Sequence, residues 1–266
     1  VEAGRYFLEK QNRSTGIPEE DILLIAIKSL GLEDLKEFNP REKVIEYLLE
    51  DANKKPLLAD LTVKDFALET SRESPAPGGG TIAAYMGTLG AALGTMVANL
   101  SSHKPGWDVR CHEFSVWADK GQGLMSELIH LVDEDTEAFN RIMAAFGMPK
   151  KTEEDKAARS EAIQAATLYA TQVPLRTMKA AFGAFEICKA MAEEGNPNSV
   201  SDAGVGALAA RAAVLGAGLN VKINASSLKD REKADALVAE AEDMIAKANG
   251  EEKNIMAIVE KVIGNL

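Results

Sequence analysis

SPAPGGGTIAAYMGTLGAALGTMVANL, residues 74–100, decides how the rest of the chain must be arranged. Pro75 and Pro77 hold the approach extended, Gly78, Gly79 and Gly80 form a turn without Cβ atoms, and Thr81 is placed to cap the helix that begins there. From Thr81 to Leu100 no residue is charged, so a helix here has no face that calls for water and belongs in the centre of the fold. The run is long enough to raise a membrane span, but Gly87, Gly90 and Gly94, with several Ala and Thr, make it only weakly hydrophobic and favour a core helix. Small residues at these spacings let a neighbouring backbone come close, as in a tight bundle or a subunit interface. The glycine-rich start also offers backbone N–H groups and the positive end of a helix dipole to a polar or anionic ligand. A plain tight turn accounts for the same three glycines.

A second stretch of the same kind, AGVGALAARAAVLGAGLNV at 203–221, carries Arg211 as its only charge; Ser199 or Ser201 can cap it, and Asn220 and Asn224 are expected to end it. Between the two lie the loop SSHKPGWD, a long helical pattern from about residue 111 to 146, and a charged loop at 148–160 that turns into another helix. Pro174 is expected to kink or restart that helix, and Gly195 to close it. Upstream, residues 1–12, a segment from Pro18 as first helical residue to Leu30 before Gly31, and a segment after Asn39-Pro40 read as three short helices, DANKKP at 51–56 as a linker, and 61–69 as a capped short helix. Residues from 227 onward read as one or two amphipathic helices covering the bundle. No segment has strand character. The expected fold is all-α, an antiparallel helix bundle with two Gly/Ala-rich central helices.

Composition narrows the function. The 266 residues are 46% apolar and 27% charged, ordinary for a soluble globular protein. Thirty Lys and Arg against 41 Asp and Glu give a net charge of −11, which argues against nucleic acid or an anionic membrane as partner. Cys111 and Cys188 lie far apart with no metal-ligand spacing, which points to a reduced, cytoplasmic setting, and His103, His112 and His130 form no zinc pattern, so no metal is expected. No secretory signal opens the chain, and Val1 falls inside a helical pattern, as in a piece of a longer polypeptide.

The helix at 111–146 has an apolar seam: Leu124, Met125, Leu128, Ile129 and Val132, then Phe139, Ile142, Met143 and Phe146. Between Val132 and Phe139 the rhythm calls for an apolar side chain at 135 or 136, and the chain supplies Asp135 and Thr136. A carboxyl on the buried side of a helix is costly to ionise, its pKa rises, and an acid held protonated near neutrality is what general-acid catalysis uses. Bonding to a neighbouring backbone explains the same residue structurally. Glu134 is expected on the solvated face.

The stretch at 74–100, with LVDEDTEAF at 131–139, MPKKTEEDK at 148–156, VPL at 173–175 and GNPNSVSDAGVGALAARAAVLGAGLNVKIN at 195–224, resembles the cyclodeaminase domain of formimidoyltransferase-cyclodeaminase. That domain is related to the methenyltetrahydrofolate cyclohydrolases. The likeness runs from Leu57 to the end, while the first fifty residues resemble the C-terminal tail of glutamate formimidoyltransferase. The resemblance therefore divides the chain into 1–55, a transferase remnant with linker, and 56–266, the deaminase domain. It implies a homodimer or larger homo-oligomer joined through helices, a folate substrate, with or without a polyglutamate tail, bound where subunits meet, and a transferase domain as a partner. The implied reaction closes 5-formimidoyltetrahydrofolate to 5,10-methenyltetrahydrofolate with loss of ammonia, needing no cofactor beyond the tetrahydrofolate substrate. The family's catalytic acid falls on Asp135. Further expectations place Gly78, Gly79, Gly80 and Thr81 against the pterin or the folate amide, and Asp202 on pterin N–H groups. Lys150 and Arg159 are expected at the glutamate tail, Gln164 and Asn220 on the heterocycle; each has an alternative as turn, cap, interface or solvated face. The competing functions are the cyclohydrolase and a non-catalytic helical oligomerisation module.

Overall fold

The computed structural model describes residues 1–52 and 57–265, and every regular element among them is helical. Five short helices come first: α1 (Glu2–Lys10), α2 (Glu19–Ser29), α3 (Pro40–Lys43), α4 (Ile45–Ala52) and α5 (Val63–Thr70). Five long ones form the bundle: α6 (Gly79–Ser102), α7 (Cys111–Phe146), α8 (Glu153–Glu194), α9 (Val200–Ala225) and α10 (Arg231–Ile263). Part of the expected linker, residues 53–56, lies outside the described residues.

The two small-residue helices are central, as their composition predicts. α6 and α9 touch backbone to backbone: a Cβ added to Gly90 would lie 2.8 Å from the Gly206 carbonyl oxygen, and one on Gly206 3.0 Å from that of Gly90. Any larger residue at either position pushes the helices apart. Three hydroxyls buried in α6 return to its own backbone, Thr88 to the Ala84 carbonyl, Thr95 to that of Ala91 and Ser101 to that of Val97, so a helix with polar atoms can be buried on most sides. Both helices are long and apolar enough to span a membrane by length and composition alone. Here their small faces are turned on each other and on α7 and α8. Arg211, the lone charge of the 203–221 stretch, reaches Asn249 and Glu252 of α10.

Four expectations need correction. α8 is a single helix of 42 residues that passes through Pro174 without a break, because the carbonyl of Ala170, deprived of its N–H partner by the proline ring, is taken by the side chain of Asn224 at 2.7 Å. α9 continues past Asn220 and Asn224 to Ala225. The helix after Asn39 is two pieces, since Val44 adopts an extended conformation (φ −89°, ψ 121°). Thr81 is not a cap: α6 starts at Gly79 with Gly78 at the N-cap, which puts Thr81 inside the first turn.

The N-terminal segment is bolted to the bundle by polar contacts. Arg5 pairs with Asp119 at 2.8 Å, the Thr15 hydroxyl donates to Asp119 at 2.6 Å, and Asn99 donates to the Gly16 carbonyl at 2.8 Å. His103 Nε2 accepts the Ser14 N–H, and Cys111 Sγ donates to the Asn12 carbonyl, so one histidine and one cysteine serve this docking. Cys188 is fully buried, and burial pushes its thiol up to about 12.

Candidate active site

Asp133, Glu134 and Asp135 are consecutive on α7, and 3.6 residues per turn sends their side chains about 100° apart. Asp133 accepts the backbone N–H groups of Leu58 (2.6 Å) and Ala59 (3.3 Å) and pins the segment that precedes α5. Glu134, expected in solvent, is instead 8% exposed and accepts from the Tyr169 hydroxyl at 2.6 Å and from Arg176 at 2.5 Å, both on α8. Burial pushes its carboxyl up, but those hydrogen bonds and the Arg176 charge outweigh it and leave the pKa below the usual carboxylate value.

Asp135 points the other way, into the N-terminal turn of α6. The Thr81 hydroxyl donates to its Oδ2 at 3.0 Å and lies 3.3 Å from the Thr136 hydroxyl. Loss of water raises the Asp135 pKa above the ordinary value; hydrogen bonds from the Thr81 hydroxyl and backbone N–H oppose that rise without cancelling it. The carboxyl sits where a Cβ on Gly80 would be, its Oδ2 2.7 Å from that point, so only glycine lets α6 approach it. The third glycine of the run thus serves a close approach rather than a turn.

A cleft of about 150 Å³ opens beside this contact, lined by Gly78, Gly79 and Gly80, by Asp135, Thr136, Phe139 and Ile142 of α7, by Ala170 of α8, and by Asn220 and Asn224 of α9. Asp135, Phe139 and Ile142 follow one stripe of α7, so one face supplies an acid and an apolar floor. Gly79 and Gly80 bring the first turn of α6 into the lining, and the N–H groups of a helix's first turn have no acceptor within their own helix. Wider grooves exist elsewhere, one of about 580 Å³ beside Trp107 and Arg110, but the polar groups there are spent on one another: Arg110 bridges Glu113 and Glu194. The small cleft joins an acid of raised pKa to the first turn of α6.

The structure gathers five of the expected residues around Asp135: Gly78, Gly79, Gly80, Thr81 and Asn220. Four others lie apart within the chain. Asp202 stands eighteen residues before Asn220 on α9, about 27 Å along the axis at 1.5 Å per residue. Gln164 is occupied at both ends of its amide, donating to the Ser227 carbonyl at 3.2 Å and accepting from Lys229 N–H at 2.7 Å, and so fastens the α9–α10 connection. Lys150 is exposed beyond the C-terminus of α7, whose last carbonyls are capped by Arg159 bonding to Phe146. Asn224, read from sequence only as a helix end, is the cleft residue that was missed; its place one turn after Asn220 was the available signal.

Comparison with known proteins bears on the same residues. The formiminotransferase-cyclodeaminase family matches residues 62–243, and the formiminotransferase domain matches residues 1–50. The chain belongs to the formiminotransferase-cyclodeaminase family. Among curated relatives, a methenyltetrahydrofolate cyclohydrolase of Methylorubrum extorquens is 37% identical over 202 residues, covering 76% of this chain and 97% of that protein. The formimidoyltransferase-cyclodeaminase of Rattus norvegicus is 30% identical over 94% of this chain, and that of Gallus gallus 31% over 98%. This family member spans only about half of those two relatives, 47% and 48% of their lengths. The crystal structure of a formiminotetrahydrofolate cyclodeaminase from Thermotoga maritima superposes with a TM-score of 0.68 at 25% identity, over 77% of this chain and 98% of that one.

Proposed function

We propose that the chain is a formimidoyltetrahydrofolate cyclodeaminase and that Asp135 is its proton donor. The observation that carries this reading is a half-buried carboxyl against the start of α6, its pKa raised, beside an apolar floor in the cleft at the glycine turn. N10 of the folate attacks the formimidoyl carbon on N5, a ring closure that depends mainly on holding the two nitrogens in reactive contact. The N10 proton passes to the former imino nitrogen, which becomes an amine on the tetrahedral carbon, and Asp135 gives that amine a second proton so that the C–N bond breaks and it leaves as ammonia. The carboxylate left behind favours the methenyl cation. Purified protein given 5-formimidoyltetrahydrofolate raises the methenyl absorbance and releases ammonia in equal amounts; absence of both refutes the proposal.

A second reading has its own support. The Methylorubrum relative, which this chain covers almost completely, is a cyclohydrolase, and the same cleft then serves attack of water on the methenyl carbon. The match of residues 1–50 to a transferase domain favours the deaminase. Hydrolysis of methenyltetrahydrofolate without any deamination of the formimidoyl substrate decides for the cyclohydrolase, and a chain that binds no folate is the scaffold alternative.

Within the proposal, residues 1–55 are the end of a transferase domain, residues 56–266 form the deaminase, and the active unit is a homo-oligomer. Two features support assembly. The cleft is smaller than the roughly 300–1,000 Å³ usual for small-molecule sites, so a folate needs walls that one chain does not supply. The neighbouring helices α6 and α9 leave Leu89, Met96, Val205, Leu208, Leu219 and Ile223 exposed, and Leu219 and Ile223 adjoin the two cleft asparagines. Sedimentation of the chain as a monomer under assay conditions, with full activity, counts against it.

A further inference from the structure

Asn224 and Pro174 make a connection that carries α8 through its proline and that the acid chemistry does not use. A proline in mid-helix removes the N–H that would bond the carbonyl four residues back, here that of Ala170. A carbonyl oxygen accepts and never donates, so the atom of Asn224 that lies 2.7 Å from it is the amide nitrogen, and the side-chain orientation is fixed by chemistry. The other end of that planar amide, Oδ1, meets no donor from the described residues, and Asn224 and Ala170 both line the cleft. One turn earlier, Asn220 spends its own Nδ2 on the Gly216 carbonyl at 3.0 Å, with the same consequence for its Oδ1. α9 therefore brings into the cleft lining two asparagines, four residues apart on one face, each with a carbonyl-type acceptor that meets no donor among the described residues.

We propose that Asn224 Oδ1 accepts a hydrogen bond from the 2-amino group of the pterin ring, and that Pro174 is the positioning residue that holds Asn224 in that orientation. The proposal rests on the folate reading of the same cleft and deepens it. An acceptor at this point rejects a ring that lacks the amino group, because a buried oxygen is then left unpaired. Pro174 does not touch the ligand; it acts by leaving the Ala170 carbonyl unclaimed. An ordinary residue at 174 returns an N–H to that carbonyl, which then competes with Asn224 and lets its amide turn.

The test is calorimetric titration of the full chain with two stable probes, 5-formyltetrahydrofolate and its 2-desamino-2-methyl analogue. The wild-type chain is expected to prefer the amino compound about tenfold, the size of one lost hydrogen bond. Asn224→Leu is expected to bind both probes equally, at the weaker affinity, and Pro174→Ala to lose part of the preference while keeping every cleft side chain. Pro174→Ala also guards against failure of Asn224→Leu to fold. A variant that keeps the full tenfold preference overturns the assignment, as does equal weakening toward both probes, which marks a merely structural role. A wild-type chain that binds both probes equally overturns only the role of Asn224. One that binds neither overturns the folate reading as well.

Discussion

Two neighbouring carboxyls on α7 face opposite flanks of the same helix and meet opposite fates. Glu134 turns to α8, where Tyr169 and the cationic Arg176 hold it ionised although it is nearly inaccessible. Asp135 turns to α6, where the nearest donors are a threonine hydroxyl and a backbone N–H, and desolvation wins. Burial alone therefore does not make an acid catalyst. What separates the two is whether a full positive charge comes with the burial, and an environment that drives two titratable groups apart is how a fold assigns them different work. One flank fastens α7 to α8; the other holds a carboxyl whose pKa burial raises.

The largest effect expected from breaking this contrast is on turnover. Asp135→Asn keeps an oxygen for the Thr81 hydroxyl and removes the transferable proton, so the helical CD spectrum stays unchanged while kcat falls by about 10²–10⁴. Unchanged kcat moves the acid elsewhere. Gly80→Ala comes next, because the added methyl meets the Asp135 carboxyl; displacing the acid by a fraction of an ångström to one ångström costs up to about 10²-fold in kcat. Its folate affinity should fall less than its rate, and a variant as active as the parent shows that the close approach is dispensable.

Glu134→Gln belongs to the other flank and is expected to act on stability rather than rate. It leaves Arg176 without its anion, at a cost of about 1–2 kcal/mol given that Arg176 is 44% exposed, or a Tm lower by roughly 2–8 °C. The pH dependence of stability separates the two residues by sign. Glu134 has a lowered folded pKa, so its contribution is present above the unfolded carboxylate value and is lost as pH falls through the lower one. Asp135 has a raised folded pKa, so its contribution is present below the unfolded value and is lost as pH rises through the raised one. Thermal melts across the acid range should therefore lose the acid-side slope in Glu134→Gln and the opposite slope in Asp135→Asn.

Much of this arrangement was legible in the chain, and the rest was hidden for definite reasons. Uncharged, small-residue stretches marked α6 and α9 because burial on most sides leaves little room for charge. The interruption of an apolar seam marked Asp135, since a 3.6-residue rhythm fixes direction within one helix. The same rhythm misdirected Glu134: α7 packs on both α6 and α8, and a helix buried on two flanks has inward positions that a single seam does not describe. Pro174 misled for a related reason. Its disruption of a helix is a local rule, and the side chain that repairs it comes from fifty residues away. The positions of Gln164 and Asp202 were not legible, since only tertiary placement puts the first on the α9–α10 connection and the second at the start of α9, away from Asn220.

The smallest and sharpest test concerns Thr81. Its hydroxyl and backbone both hydrogen-bond the ionised form of Asp135 and so hold down a pKa that burial raises. Thr81→Val keeps the shape and the backbone N–H but removes the hydroxyl, so the pKa should climb further. Activity that needs the protonated acid declines as pH rises through that pKa, and the descending limb of kcat against pH should move to higher pH in the variant. At neutral pH the two opposing consequences, more acid in the protonated form and looser positioning, leave a change of only a few-fold in rate. A limb that moves to lower pH, or not at all, means that another group sets the profile, and the opposition between the two flanks of α7 then has no part in the chemistry.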